Sequence, residues 1–205
     1  MLNVIHIEPS SRCTLLCPQC PRTAYLSDII VQDCSIVSAV AACRGFDKVW
    51  MCGNHGDPIY HAEFHKLIAA LRADQPHVIF GIVTNGAFRS DQWWKTTARL
   101  LQDSDSITFS IDGTPTTNHI YRVNSKWPTI ESAIQILRQH GPSKLQLIWK
   151  HILFAYNEHA LQDAVDLAKT LGFDQFTLVG SARNKPNQPL TPTNSLDSIR
   201  AQLHV

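Results

Sequence analysis

Residues 4–20 are VIHIEPSSRCTLLCPQC, in which a short β-branched run leads into a loop with cysteines at positions 13, 17 and 20. The run predicts a β-strand. Thiolates at this spacing suit an iron–sulfur cluster or zinc. A structural zinc site or a four-cysteine cluster normally has a fourth protein ligand, whereas this loop offers three. A cluster bound by Cys13, Cys17 and Cys20 therefore keeps one iron open for another molecule.

The rest of the chain alternates short apolar runs with longer helical patterns. Predicted strands cover residues 4–8, 48–52, 78–84, 106–111, 145–153 and 176–179, and predicted helices cover 35–43, 61–73, 91–101, 129–139 and 159–171. Ser90 or Asp91 is the expected cap of the third helix. Strands joined through helices pair in parallel with right-handed crossovers. We therefore expect an α/β fold, a partial (β/α)6 TIM-like barrel with parallel strands.

The domain organisation follows from this pattern. Residues 1–180 are expected to form one core domain. Residues 181–205, which contain Pro186, Pro189 and Pro192, are expected to form a C-terminal tail that covers the barrel and ends in a short helix over 196–203.

Composition limits the kinds of partner. Of the 205 residues, 44% are hydrophobic, and 18 Lys and Arg nearly balance 17 Asp and Glu. Because there is no excess of positive charge, nucleic acid is not favoured as a partner and neither is a membrane surface. No secretory signal or long apolar segment is visible, so we expect a cytoplasmic protein. All six cysteines lie within residues 13–52, which favours metal binding over a disulfide framework.

Polar segments follow the predicted strands at their carboxyl ends, where parallel α/β folds build their sites. These segments are Cys52-Gly53-Asn54-His55-Gly56-Asp57-Pro58, Thr84-Asn85-Gly86, Ser110-Ile111-Asp112-Gly113, Tyr121-Arg122 and Val179-Gly180. The fifth strand carries Lys150 and His151 within an apolar run, so at least one of the two is expected to point into the barrel. Its partner is a cofactor carboxylate, a substrate, or Asp112 in an internal ion pair.

The cysteine loop and these ordered segments resemble the core domain of the radical S-adenosylmethionine (radical SAM) superfamily, over residues 4–180. The resemblance implies a [4Fe-4S] cluster on Cys13, Cys17 and Cys20, which are also the catalytic cysteines. It further implies that the open iron chelates S-adenosylmethionine, that an electron cleaves the sulfur–carbon bond, and that the resulting 5'-deoxyadenosyl radical abstracts hydrogen from a substrate. Flavodoxin or ferredoxin is the implied kind of electron donor, and the substrate is a peptide or a small molecule.

The resemblance also assigns residues to the cofactor. The glycine-rich segment ending in Asp57 corresponds to the part that holds the methionine amino group, Arg122 to a carboxylate contact, and Val179 to an adenine contact. The implied cofactor-binding residues are Gly53, Asn54, Gly56, Asp57, Asn85, Ser110, Asp112, Arg122, Lys150, His151 and Val179. The sequence departs from the family in two ways, because Asp57 stands where Glu is more usual and Gln19 replaces an aromatic residue.

The sequence most resembles members with a C-terminal extension that binds auxiliary clusters, but it has no cysteine there. We therefore expect no auxiliary cluster.

Two other interpretations remain open. The chain could be a zinc-stabilised, non-catalytic α/β binding protein, with a zinc ion completed by His6 or Cys34 or held by His55, His61 and His65. It could also be a degenerate radical SAM protein that assists another enzyme. The sequence does not determine the oligomeric state.

Overall fold

The computed structural model describes residues 2–24, 31–183, 189–201 and 203. Its six strands form one sheet in the order of the chain, and every neighbouring pair is parallel. The strands are β1 (Val4–Ile7), β2 (Lys48–Met51), β3 (Ile79–Thr84), β4 (Ser106–Ser110), β5 (Gln146–Leu153) and β6 (Gln175–Gly180). The predicted α/β partial barrel with parallel strands is confirmed.

Helices connect the strands. They are α1 (Pro21–Ala24), α2 (Ile36–Cys43), α3 (Phe64–Asp74), α4 (Asp91–Leu100), α5 (Asn118–Tyr121), α6 (Trp127–His140), α7 (Leu161–Thr170) and α8 (Leu196–Arg200), with 3-10 turns at Pro58–Tyr60 and Glu158–Ala160. The predicted cap of α4 is confirmed, because the Ser90 side chain accepts a hydrogen bond from Trp93 N. Helix α3 begins three residues later than predicted, since Asp57 caps the 3-10 turn that comes first.

Alternation along each strand separates the core from the barrel interior. In β2, Val49 and Met51 are fully buried against the helices, whereas Lys48 and Trp50 are only partly buried. The same period of two places large aromatic side chains such as Phe80, Phe109 and Trp149 in the layer between sheet and helices. The opposite face of the sheet is left to line an open interior.

Helix α8 of the tail lies against the last strand. Leu196 and Ile199 pack with Leu178 of β6 and Leu161 of α7, and Arg200 donates a hydrogen bond to the Leu178 carbonyl at 2.7 Å. The extent of the core domain and the covering role of the tail stay predictions. Within the described residues, no helix is long and apolar enough to cross a bilayer.

A buried carboxylate ties the amino ends of β3 and β4 together. Asp105, which is fully buried, accepts hydrogen bonds from Phe80 N, Gln102 N and the Arg72 guanidinium, each at 2.7 Å. Burial raises the pKa of Asp105, and the amides and Arg72 oppose that rise.

We predict that Asp105→Ala lowers the free energy of unfolding by about 3–5 kcal/mol, because it leaves a half-buried guanidinium and two amides without their acceptor. Asp163→Ala, at an exposed position in the first turn of α7, should cost less than about 1 kcal/mol. Urea unfolding of both variants measures the difference, and equal losses would contradict the proposed role of Asp105.

Candidate functional site

A central cavity of about 420 Å³ opens at the carboxyl ends of the strands. Its volume lies in the range of small-molecule sites. The predicted site residues that line it are Cys13, Cys17, Cys20, Gly53, Asn54, Gly56, Asp57, Asn85, Ser110, Arg122 and Lys150. Asp112, His151 and Val179 do not line it. The fold therefore brings most of the predicted residues to one place.

The three thiols of the cysteine loop each meet a different neighbour. The Asn85 amide lies 3.5 Å from the Cys13 sulfur, and the Cys20 thiol lies 3.8 Å from the Asn54 carbonyl oxygen. Arg122 is close enough to Cys17 to act on its pKa through charge and a hydrogen bond. None of the three is in a disulfide. They are therefore free to bind metal.

Burial favours the protonated form of two of these thiols, Cys13 and Cys17. Burial raises the pKa of Cys13 to about 12, and the nearby Asp57 carboxylate adds to the rise. Burial also raises the pKa of Cys17, although Arg122 opposes this shift. A metal ion or cluster bound by these two thiols would displace their protons, so that its affinity would grow with pH.

Glycines let the loop after β2 approach the cysteine loop. A Cβ atom on Gly56 would lie 2.0 Å from the Ser10 carbonyl oxygen, and one on Gly53 would lie 2.3 Å from the Gly56 carbonyl oxygen. No side chain fits such contacts. The loop thus presents bare backbone at the edge of the cavity, which is the surface needed where a ligand comes close.

Asp57 joins this loop to the end of β3. Its carboxylate accepts hydrogen bonds from Ile59 N at 3.2 Å and from the Asn85 backbone and side-chain amides at 2.7 and 2.6 Å. Its own amide donates to the Arg12 carbonyl at 2.9 Å. Burial raises the pKa of Asp57 to about 6. The carboxylate is therefore already committed within the protein.

Arg122 is positioned by a buried ion pair. Its Nε lies 2.6 Å from Asp112 Oδ2, and the other oxygen of Asp112 accepts from Ile152 N at 2.7 Å. Asp112 is fully buried and lies behind the cavity wall. The ion pair that sequence analysis considered between Asp112 and the fifth strand forms with Arg122 instead.

Lys150 and His151 point to opposite faces of β5. Lys150 lines the cavity, as expected for at least one of the two. His151 is fully buried beside the rings of Phe176 and Trp149, and among the described residues neither of its ring nitrogens makes a hydrogen bond of normal geometry. Val179 pairs with Ile152 in the sheet without reaching the cavity.

The histidines considered for zinc lie apart from one another. His61 contacts the Cys34 carbonyl oxygen at 3.0 Å, and His65 bonds to Thr97 Oγ1 and stacks on Trp93. In the described ranges, no group of three or more His, Cys, Asp or Glu side chains is arranged to hold a single metal ion. Cluster binding by the three cysteines therefore stays a proposal.

Sequence analysis missed several residues at the site. Glu8 accepts hydrogen bonds from the Asn54 side chain at 3.0 Å and from His55 N at 3.2 Å, so it braces the glycine-rich loop. The position of Glu8 directly after β1, at the carboxyl end of a strand, could have indicated that it lies near the site. Arg22 and Arg183 also line the cavity, but nothing in their local sequence distinguishes them from surface arginines.

Comparisons with known proteins give structural matches only. No family model and no curated protein matches the sequence. The structure of anSMEcpe with bound AdoMet has a TM-score of 0.73 and 16% identity, over 92% of this chain and 55% of its own. The structure of SuiB of Streptococcus suis bound to S-adenosylmethionine has a TM-score of 0.73 and 14% identity, over 98% of this chain and 46% of SuiB. The structure of the radical S-adenosylmethionine methyltransferase TsrM of Kitasatospora setae has a TM-score of 0.61 and 9% identity, over 86% of this chain and 35% of TsrM.

The chain shares the fold of these three proteins. It spans about half the length of anSMEcpe and SuiB, and the shared part is the partial barrel with its helices. In this fold the central cavity lies at the strand ends, beside the cysteine loop.

We predict that Gly56→Ala lowers the free energy of unfolding by about 1–3 kcal/mol, because the added methyl group forces two backbone segments apart. Gly180→Ala is the matched control, since its Cβ would meet only Leu196 at 3.9 Å. Thermal unfolding of the two variants tests whether position 56 requires glycine. Equal melting temperatures would contradict that requirement.

A second prediction concerns His151, whose pKa burial lowers to about 4. In the unfolded chain this histidine takes up a proton near pH 6.5, whereas in the native state it stays neutral down to about pH 4. Stability from this group is therefore complete above pH 6.5 and is lost as pH falls toward 4. Relative to His151→Phe, wild type should lose about 2–3 kcal/mol between pH 7 and 4. Urea unfolding of wild type and His151→Phe at both pH values measures the difference, and equal losses in the two proteins would contradict this role of His151.

Proposed function

We propose that the protein is a radical SAM enzyme that reductively cleaves S-adenosylmethionine and abstracts hydrogen from a further substrate. The observation that carries the proposal is the convergence of Cys13, Cys17 and Cys20 with the loops after β2, β3 and β4 on one cavity. The three cysteines come from one short loop, whereas the other residues come from separate strand ends. The structural likeness to enzymes solved with S-adenosylmethionine supports this use of the cavity.

The donor set fits an iron–sulfur cluster. Three soft thiols lie in a half-buried loop with an amide at Cys13 and a guanidinium near Cys17, and both groups stabilise thiolates. A cluster bound there would supply the electron that breaks the sulfur–carbon bond of S-adenosylmethionine. The chain's own residues bind and orient the reactants and exclude water.

We propose that S-adenosylmethionine lies against the backbone of Gly53 and Gly56, with Ser110 and Asn85 near its polar groups. Arg122 uses only its Nε for Asp112, so its Nη groups can donate to the methionine carboxylate. Asp57 contributes mainly by holding Asn85 and the loop, since its carboxylate already accepts three hydrogen bonds.

The open side of the six-stranded barrel suits a large substrate. Matching structures include anSMEcpe with a bound peptide and SuiB bound to the precursor peptide SuiA. On this basis we propose a peptide substrate for this chain, with a small molecule as the alternative. We also propose that flavodoxin or ferredoxin supplies the electron and that the protein works in the cytoplasm, where thiols stay reduced.

We predict that protein reconstituted anaerobically with iron and sulfide releases 5'-deoxyadenosine from S-adenosylmethionine when dithionite is added. Cys17→Ala should abolish this product and the brown colour of the cluster, because it removes one of three ligands. Cys34→Ala is the matched control, as Cys34 is a thiol that does not line the cavity. It should retain both signals.

The outcomes separate the three interpretations. A brown protein that forms product only with the cysteine loop intact supports the enzyme. A brown protein without product, at full iron loading, contradicts turnover and favours the non-catalytic partner. A colourless protein that binds zinc through the same cysteines favours the zinc-stabilised binding protein.

A further inference from the structure

The central cavity is rich in positive charge. Arg22, Arg122, Lys150 and Arg183 line it, whereas Asp57 is its one carboxylate among the described residues. The whole chain, by contrast, has a formal net charge of only +1. Positive charge is therefore concentrated where a ligand would bind.

Three of these cations are held by the protein. Arg122 pairs with Asp112, Arg22 donates to the Leu15 carbonyl at 3.3 Å, and Arg183 donates to the Gln19 carbonyl at 3.2 Å. Lys150 differs from them. The part of the chain that the structure describes gives its ammonium no ion pair or hydrogen bond, and its side chain is exposed to the cavity.

Neither Asp57 nor the proposed cofactor neutralises Lys150. The Asp57 carboxylate is buried and accepts hydrogen bonds from Ile59 and Asn85. S-adenosylmethionine carries an ammonium, a sulfonium and a single carboxylate, so it adds net positive charge, and Arg122 is the better placed partner for that carboxylate. A cluster on the three thiolates would bring negative charge to the cysteine loop, but among the described residues the Lys150 ammonium has no partner of its own. It is therefore available to an anionic group of another molecule.

An aromatic surface lies in the same cavity. Trp50 of β2 lines it, and Gly81 of β3 gives the indole room, because a Cβ at that position would lie 2.6 Å from Trp50 Cε3. Lys48 places its ammonium 4.6 Å from the centroid of the indole. His6 stacks on Trp50 with ring centroids 6.2 Å apart. The indole is thus fixed by its neighbours.

Lys150 on β5 and Trp50 on β2 line the same cavity. Burial raises the pKa of Cys52, Glu8 adds to the rise, and Lys150 opposes it. The Lys150 ammonium on β5 is therefore within electrostatic range of a thiol on the β2 side, two residues from Trp50. A ligand with an anionic group and an apolar body can contact both side chains at once.

We propose that Lys150 binds an anionic group of the substrate, a carboxylate or a phosphate, while Trp50 contacts its apolar part. This inference rests on the proposed function, because it names the substrate class of the same site. It assigns Lys150 to the substrate and leaves the cofactor to Arg122 and the glycine-rich loop.

The test is calorimetric titration of the reconstituted protein, loaded with S-adenosylmethionine, with benzoate, phenylphosphate and benzamide. The two anions should bind and neutral benzamide should not. Lys150→Met should weaken anion binding about tenfold or more, because it removes one charge-assisted contact. Lys150→Arg should restore binding, and Lys144→Met, at an exposed position outside the cavity, should bind like wild type. The anion that binds more tightly identifies carboxylate or phosphate as the recognised group.

Each other result overturns the proposal. Absence of anion binding to wild type, or equal binding by Lys150→Met, shows that Lys150 is not an anion site. A tenfold or larger loss of S-adenosylmethionine affinity in Lys150→Met would place the residue in the cofactor site. Failure of the proposed function gives a different result. If the protein forms no 5'-deoxyadenosine but still binds anions through Lys150, the enzyme activity is ruled out and the anion site stands.

Discussion

The contact between the glycine-rich loop and the cysteine loop is the constraint on which the site depends. Asp57 donates its amide to Arg12 and binds Asn85 through its carboxylate, so one residue connects three strand-end loops without any covalent link. Gly56 makes this possible by letting two backbones meet at a distance that no Cβ tolerates. If this contact opened, the thiols would no longer face the residues proposed to hold the cofactor.

The fold and most of the cavity could be predicted because both follow from local rules. A period of two in short apolar runs identifies strands, and helices between them require parallel pairing. Parallel pairing in turn brings all carboxyl ends to one edge. Residues such as Cys13, Asn85 and Ser110 were therefore placed together with no knowledge of their contacts.

The sequence is less informative where placement depends on the side of a strand or on distant contacts. Lys150 and His151 are adjacent, so one must face the helices, and sequence alone does not set which one. Asp112 follows β4, and its carboxylate turns inward because Arg122 and the Ile152 amide supply its hydrogen-bond donors. Glu8 was overlooked because its partners lie more than forty residues away.

Because Trp50 packs on Gly81, the residues at positions 50 and 81 together determine how deep the barrel interior is at this point. Any side chain at position 81 must take space that the indole now fills, since the two lie in register on neighbouring strands. A larger residue at 81 therefore requires a smaller one at 50, and the aromatic surface would move from β2 to β3. Changing both residues together would reshape this part of the cavity without altering the cysteine loop, so the two regions can vary independently in sequence.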